Sequence, residues 1–320
     1  MNLLIPGGAV YIGAWLVPHL LADGHNVTVL DSMWFGSGHL PDNANLTIFK
    51  GDVRNTDDLE VAAEDCDAVI YLASISSDAM CQRDPALAHA VNEAAFLPVV
   101  RTCKAAGVRR FIYASSVAAY GSSDFDATED TPLRPTTLYA NAKAACERIL
   151  LAHQSPEFTT VITRSASVCG YSPHQRFDLT VNMMVHDAIR RGIITVNGGA
   201  QKRCHIHLQD ICDFYMLLLE AAPDLIAGQA FNVVAENASV IRTAMRVAKA
   251  LGGNVQIDVK PRSDNRSYTV DGAKALEVLG FVPTRTIEDA VRDLKARFDG
   301  GYWLDSLTNE GYHNLATGLV

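Results

Sequence analysis

The sequence predicts an α/β chain, with a doubly wound parallel sheet followed by a smaller C-terminal α/β lobe. Three observations predict it. Short β-branched apolar runs alternate with helical patterns through the first two-thirds of the chain. A glycine cluster stands between the first strand and the first helix. After Arg164 the rhythm changes, with longer loops and helices separated by short strands. At 320 residues and 48% hydrophobic, the chain can bury a core of that size.

The elements follow in order. Strands are expected at Asn2–Ile5, Val27–Leu30, Leu46–Phe49, Ala68–Leu72, Arg110–Ala114 and Thr159–Thr163. Between them, Tyr11–Ala22, Pro85–Ala106 and Leu138–His153 carry helical apolar spacing. Residues 1–164 form the expected nucleotide-binding part, with a strand near Ala230–Val234 returning to the same sheet. Residues 165–320 form the smaller lobe, with helices over Phe177–Arg191, Gln209–Ala222 and Ser239–Leu251. The stretch Tyr302–Val320 has weak periodicity and is left without an element.

Composition excludes several classes of function. A formal charge of −9 gives no global positive field for nucleic acid or anionic membrane. The seven cysteines are scattered without a CxxC pair, against a disulfide framework or cysteine zinc site. Met1 leads directly into an apolar run without a basic leader, and no run of eighteen apolar residues occurs. The cytoplasm is the expected compartment.

The first strand enters Gly7-Gly8-Ala9-Val10-Tyr11-Ile12-Gly13 and then a helix. Such a turn aims backbone N–H groups, here around Gly7, Tyr11, Ile12 and Gly13, and a helix dipole at a pyrophosphate. Eighteen residues beyond Gly13, Asp31 ends the second strand. Its carboxylate suits the two hydroxyls of an adenosine ribose and repels a 2′-phosphate, so NAD is expected rather than NADP. Asp52 and Val53, after the third strand, stand where an adenine can be read. One residue breaks the pattern: Val10 takes the place of the middle glycine, where backbone should come closest to phosphate. The expected architecture is therefore of the Rossmann type.

After the strand Arg110–Ala114 come Ser115 and Ser116, and later Tyr139-Ala140-Asn141-Ala142-Lys143 on a helix. Four residues make about one turn, so Tyr139 and Lys143 share a face. A tyrosine near pKa 10 is a poor base at neutral pH, and a neighbouring ammonium favours its phenolate. With a strand-end serine, the pair can move a substrate hydroxyl proton while hydride travels to nicotinamide.

The order glycine turn, Asp31, Gly51-Asp52, Tyr71-Leu72-Ala73, Asn92, Ser115-Ser116, Tyr120-Gly121 and YxxxK resembles the extended short-chain dehydrogenase/reductases. More narrowly, it resembles their NAD-dependent nucleotide-sugar epimerase/dehydratase group. The likeness continues through Arg164, Gly170-Tyr171-Ser172-Pro173, Gln201–Asp210 and Leu279–Pro283. The resemblance implies that Tyr139 is the acid–base residue and that Ser116, four residues before Tyr120, orients the substrate hydroxyl. It implies that Lys143 also holds the nicotinamide ribose, that Leu72 and Ala73 line the cofactor, and that Asn182, Arg203 and Arg266 clamp a nucleotide diphosphate. It also implies a homodimer through the YxxxK helix and Pro85–Ala106.

Departures from the family pattern narrow the chemistry. Sugar 4,6-dehydratases carry an Asp-Glu pair where this chain has Val117 and Ala118, and Ser167 stands where many members have asparagine. The missing acids favour epimerisation, through transient oxidation of a sugar hydroxyl, or simple alcohol/ketone redox, over dehydration. A net dehydrogenase or ketoreductase is the alternative enzyme reading. A binding protein that lost its cofactor through Val10 is the alternative outside enzymes. His205-Ile206-His207 alternates as strand residues do, but no further ligand cluster accompanies it, so no metal is expected.

Overall fold

Ala68-Val69-Ile70-Tyr71 is buried at all four positions, as a central strand covered on both faces by helices must be. The computed structural model describes residues 1–261 and 267–313. Its strands are β1 (Asn2–Pro6), β2 (Asn26–Asp31), β3 (Leu46–Lys50), β4 (Ala68–Tyr71), β5 (Arg110–Ser116), β6 (Asp126–Ala127) and β7 (Thr159–Ser165). They continue as β8 (Ser167–Cys169), β9 (Ile193–Asn197), β10 (Lys202–His207), β11 (Gln229–Val233), β12 (Glu236–Ser239), β13 (Gln256–Lys260) and β14 (Thr269–Val270).

Seven of these make one sheet in the order β3-β2-β1-β4-β5-β7-β11, with every neighbouring pair parallel. This is the Rossmann-type α/β architecture that the alternating pattern predicts. The order reverses between β1 and β4, and at such a switch point the carboxyl ends of the strands open a crevice for ligand. The late strand β11 joins the edge beside β7, with Ala230 opposite Ile162. The C-terminal half adds a three-stranded sheet, β12-β10-β8, and the pair β13-β9. Helices Thr180–Arg191, Val240–Ala250 and Ile287–Asp299 pack there around a separate apolar cluster that includes Val185, Val247 and Leu294.

Two helices differ from expectation, each for a local reason. Pro85–Ala106 is broken into Pro85–His89, a π-helical turn at Ala90–Ala94, and Phe96–Ala105. The widened turn contains buried Asn92, whose amide accepts from the N–H of Ile75 at 2.7 Å and donates to the Ile75 carbonyl at 3.0 Å. The Asn92 carbonyl meanwhile accepts the Cys146 thiol at 3.1 Å. The helix expected from Phe177 starts at Thr180, because Leu179 before it is extended, at φ −83° and ψ 138°; the Phe177 N–H donates to the Tyr312 carbonyl at 2.6 Å. In the tail, Glu310–His313 forms one 3₁₀ turn. All seven cysteines are buried thiols, and no described helix is long and apolar enough to cross a membrane.

Candidate active site

The crevice is a cavity of about 540 Å³ running from the glycine turn to the YxxxK helix. Gly7 has φ +78°, and a Cβ there would lie 2.5 Å from the backbone of Ala73. A Cβ on Gly13 would lie 2.2 Å from the Gly8 carbonyl oxygen. Both glycines are thus required by close backbone approach. No side chain caps the helix Tyr11–Ala22, so the N–H groups of Tyr11, Ile12 and Gly13 face the cavity without a side-chain acceptor. Val10 has φ −117° and ψ −172°, an extended conformation that valine adopts without strain. Its effect is therefore confined to its side chain at the cavity wall.

Asp31 is tied to the same turn. Its carboxylate accepts from the N–H of Ala9 at 3.1 Å and of Met33 at 2.9 Å. Burial pushes its pKa up, while those N–H groups and the His39 imidazole oppose the rise. His39 itself bonds the Ala9 carbonyl. Asp52 pairs with Arg54 at 2.6 Å, and that bond holds its carboxyl below the usual range. Asp52, Val53, Leu72 and Ala73 all line the cavity.

At the other end β5 and the helix Leu138–Leu151 converge. Thr137 caps that helix, accepting from the Ala140 N–H at 3.2 Å. Ser116, Tyr139 and Lys143 all line the cavity, and the Ser116 Oγ accepts the Ala118 N–H at 3.2 Å. Ser115 is engaged elsewhere, donating to Glu147 at 2.5 Å. Buried Glu147 pairs with Arg164 at 2.8 Å, whose Nη1 donates to the Tyr120 hydroxyl at 2.7 Å. Lys143 donates to the Ala114 carbonyl at 2.7 Å and lies 5.5 Å from the centre of the Tyr139 ring. Burial pulls its pKa down to about 8, against Cys146 and Glu147, so it stays mostly charged at neutral pH. Burial raises the Tyr139 hydroxyl above its ordinary value, with Arg176 and then Ser116 acting against the rise.

The residues expected to clamp a diphosphate separate. Arg203 lines the cavity, its guanidinium 5.0 Å from the centre of the Tyr268 ring. Arg266 lies outside the described residues. Asn182 does not line the cavity, because its amide is spent inside the protein. Its Oδ1 accepts from the N–H of Gly170 at 2.9 Å, and its Nδ2 donates to the Tyr11 hydroxyl and the Arg176 carbonyl, both at 3.0 Å. The histidine alternation likewise resolves into separate partners. His205 Nε2 lies 3.4 Å from the Thr243 hydroxyl, and burial lowers its pKa to about 4. His207 accepts the Gln209 N–H at 3.1 Å and sits 3.2 Å from the Asp293 carboxylate.

Sequence reasoning missed Arg176, Asp178, Ser76 and Asp78, all of which line the reaction end. A signal existed for two of them. The run Ser74–Asp78, which holds Ser76 and Asp78, leaves the carboxyl end of the fourth strand, where crevice residues are expected. Arg176 and Asp178 had none, since the loop that aims them has no periodicity.

With this geometry in hand, comparison with known proteins decides the family. The model of the NAD dependent epimerase/dehydratase family matches residues 3–233. The chain belongs to this family. The UDP-glucose 4-epimerase of Erwinia amylovora is 26% identical over 92% of this chain and 96% of that protein. The structure of MoeE5 in complex with UDP-glucuronic acid and NAD superposes with a TM-score of 0.83 at 26% identity, covering 94% of this chain and all of that one. The dTDP-glucose 4,6-dehydratase DesIV of Streptomyces venezuelae, also solved with NAD, gives a TM-score of 0.85 at 25% identity, covering 95% of this chain and 99% of that one. The family's NAD fits what is present, namely a glycine cradle that any Cβ at Gly7 would fill and an uncapped helix start beside Asp31. The protein is an NAD-dependent enzyme of the extended short-chain dehydrogenase/reductase type.

Proposed function

We propose that this family member is a nucleotide-sugar epimerase that works through transient oxidation of a sugar hydroxyl at Ser116, Tyr139 and Lys143. The observation that carries the reading is a cavity holding this trio at one end and the glycine cradle at the other, while Val117 and Ala118 offer no acid. Bound NAD supplies a hydride acceptor and later a donor. Gly7, Tyr11, Ile12 and Gly13 would hold its pyrophosphate, Asp31 its adenosine ribose, Asp52 and Val53 its adenine, and Leu72 and Ala73 its neighbouring wall. Tyr139 takes the proton of the sugar hydroxyl and later gives it back. Ser116 hydrogen-bonds the same sugar oxygen and fixes its position, and Lys143 keeps positive charge near the ring and reaches toward the nicotinamide ribose. Arg203, with Arg266, would engage the nucleotide diphosphate through planar guanidinium forks. Asn182 contributes indirectly, by holding Tyr11 and Arg176. We further propose a homodimer through the helix Leu138–Leu151 and the segment Pro85–Ala105.

The test is to incubate purified enzyme with UDP-glucose, UDP-galactose and the corresponding dTDP-sugars and separate the isomers. Interconversion without accumulating NADH supports the epimerase. Stoichiometric NADH production would replace it with a dehydrogenase, and absence of NAD binding would leave a scaffold.

A further inference from the structure

Ser116 and Lys143 face the cavity, but the acid buried beside them does not. Glu147 is 2% exposed and forms no part of the cavity wall. It stands one turn beyond Lys143 on the helix Leu138–Leu151, as Lys143 stands one turn beyond Tyr139. Arg164 on β7 lies directly opposite Ser115 on β5 in the sheet register. Its guanidinium grips the Glu147 carboxylate through Nε at 3.2 Å and Nη2 at 2.8 Å. Both ends of one short segment are tied to this pair. Ser115 donates its hydroxyl to Glu147 Oε1 at 2.5 Å, and the Tyr120 hydroxyl accepts from Arg164 Nη1 at 2.7 Å. Tyr120 in turn donates to Asn232 Oδ1 at 2.8 Å, and Arg164 Nη1 also donates to the Glu129 carbonyl at 3.0 Å. Between the two ties lie Ser116 and the 3₁₀ turn Val117–Tyr120 that it caps. Immediately before them, the Ala114 carbonyl accepts Lys143 at 2.7 Å.

We propose that Glu147 and Arg164 are positioning residues of the reaction end, a brace that fixes Ser116 through Ser115 and Tyr120 and sets the register of the Tyr139–Lys143 helix against β5. The inference rests on the roles that the proposed function gives to Ser116, Tyr139 and Lys143. An ion pair buried this far adds little net stability, because its attraction is offset by the dehydration of both charges. What it supplies here is geometry. Along β5, Ala114 meets Lys143, Ser115 meets Glu147 and Ser116 meets the cavity. The helix cannot slide along the strand without breaking the bond at Ser115 as well as the one at Ala114. On the far side of Ser116, the bond from Arg164 to Tyr120 stops the 3₁₀ turn from swinging. Ser115 and Tyr120 are also where the brace can be cut without stranding a charge, since Glu147 and Arg164 still hold each other.

The test cuts the brace at those two points in the NAD-loaded enzyme, with UDP-glucose and UDP-galactose as substrates. Ser115→Ala and Tyr120→Phe should each lower kcat about tenfold, since a misplacement of ~1 Å costs on the order of 100-fold and each tie is part of the brace. KM and NAD affinity should stay within about twofold of wild type, because both hydroxyls are spent inside the protein. A general loosening would weaken both ligands instead. The double variant should lose less than the product of the single losses, as two cuts in one brace do. A second readout needs no turnover. With 3-fluorotyrosine in place of tyrosine, the fluorine resonance of Tyr139, identified by its loss in Tyr139→Phe, should shift or split in Ser115→Ala. Near-wild-type kcat in both single variants, ligand affinities falling in step with kcat, or an unmoved Tyr139 resonance overturns the proposal. Should Tyr120→Phe fail to fold, Ser115→Ala must still show both effects. A wild type that interconverts neither sugar fails the proposed function instead, and the fluorine spectrum then decides the brace alone.

Discussion

Lys143 is buried as a cation, and folding works against that charge. Its pKa falls from 10.5 to about 8 through burial, so the folded protein binds this proton more weakly than the unfolded chain. The stability penalty is therefore fully present below about pH 8 and disappears as pH rises toward 10.5, where both states are neutral. The shift corresponds to roughly 3 kcal/mol, and losing the hydrogen bond to Ala114 offsets about 1 of that. Lys143→Met should accordingly unfold at higher temperature than wild type at pH 7, with the gain shrinking by pH 10, while turnover is lost. Thermal melts at the two pH values check this; a lower melting point at pH 7 would show that Lys143 stabilises the fold. Tyr139→Phe isolates the other half of the pair. It keeps the ring and removes the proton carrier, so turnover should fall about 10²–10⁴-fold while NAD still binds. Steady-state rates and a cofactor titration on the same preparation decide between that and a neutral substitution.

At the scale of elements, the glycine turn gives a paired prediction. Gly7 cannot carry a side chain, because its Cβ would meet the Ala73 backbone at 2.5 Å, whereas Val10 sits in an ordinary extended conformation. Gly7→Ala should therefore abolish NAD binding. Val10→Gly should strengthen it by about 1–3 kcal/mol, the usual relief of overpacking at a fitted site. Calorimetry on the three proteins checks both; equal affinity for wild type and Val10→Gly would mean that the valine methyls already turn away from phosphate. This turn, the parallel sheet and the YxxxK face were legible because each follows from short-range spacing. The helix Tyr11–Ala22 was readable to the residue for that reason. The break at Ala90–Ala94 was not, since its cause is a pair of hydrogen bonds from Asn92 to Ile75, seventeen positions away. Asn182 misled for a related reason. Its type suits a ligand contact, but besides Gly170 and Arg176 on the preceding loop it holds Tyr11, 171 positions away, which only the fold brings beside it.

At the scale of the whole molecule the question is which surface meets a second copy. The YxxxK helix packs its inner face on β5 and, through Cys146 and Leu150, on the apolar cluster beneath it. Its outer face carries Asn141, Ala145 and Arg148, which are small or able to lie flat. Beside it the helix Phe96–Ala105 buries Phe96, Val99, Val100 and Cys103 and turns Leu97 and Arg101 outward. Leu97 is half-buried yet belongs to none of the three apolar clusters, so the monomer gives it little to pack against. In an antiparallel pairing of these helices, two copies of Leu97 and Ala145 would supply the apolar centre and the arginines the rim, the arrangement of a self-complementary twofold interface. The chain, 34.6 kDa alone, should therefore sediment as a species of twice that mass. Leu97→Glu should convert it to monomer, by burying an unpaired carboxylate at the interface centre in both copies. NAD should still bind, because the cavity lies at the carboxyl ends of the strands and Leu97 is not part of its wall. Sedimentation of the two proteins at matched concentration settles the assignment. A Leu97→Glu variant that remains dimeric would move the interface elsewhere, and a wild type that is monomeric at micromolar concentration would remove it altogether.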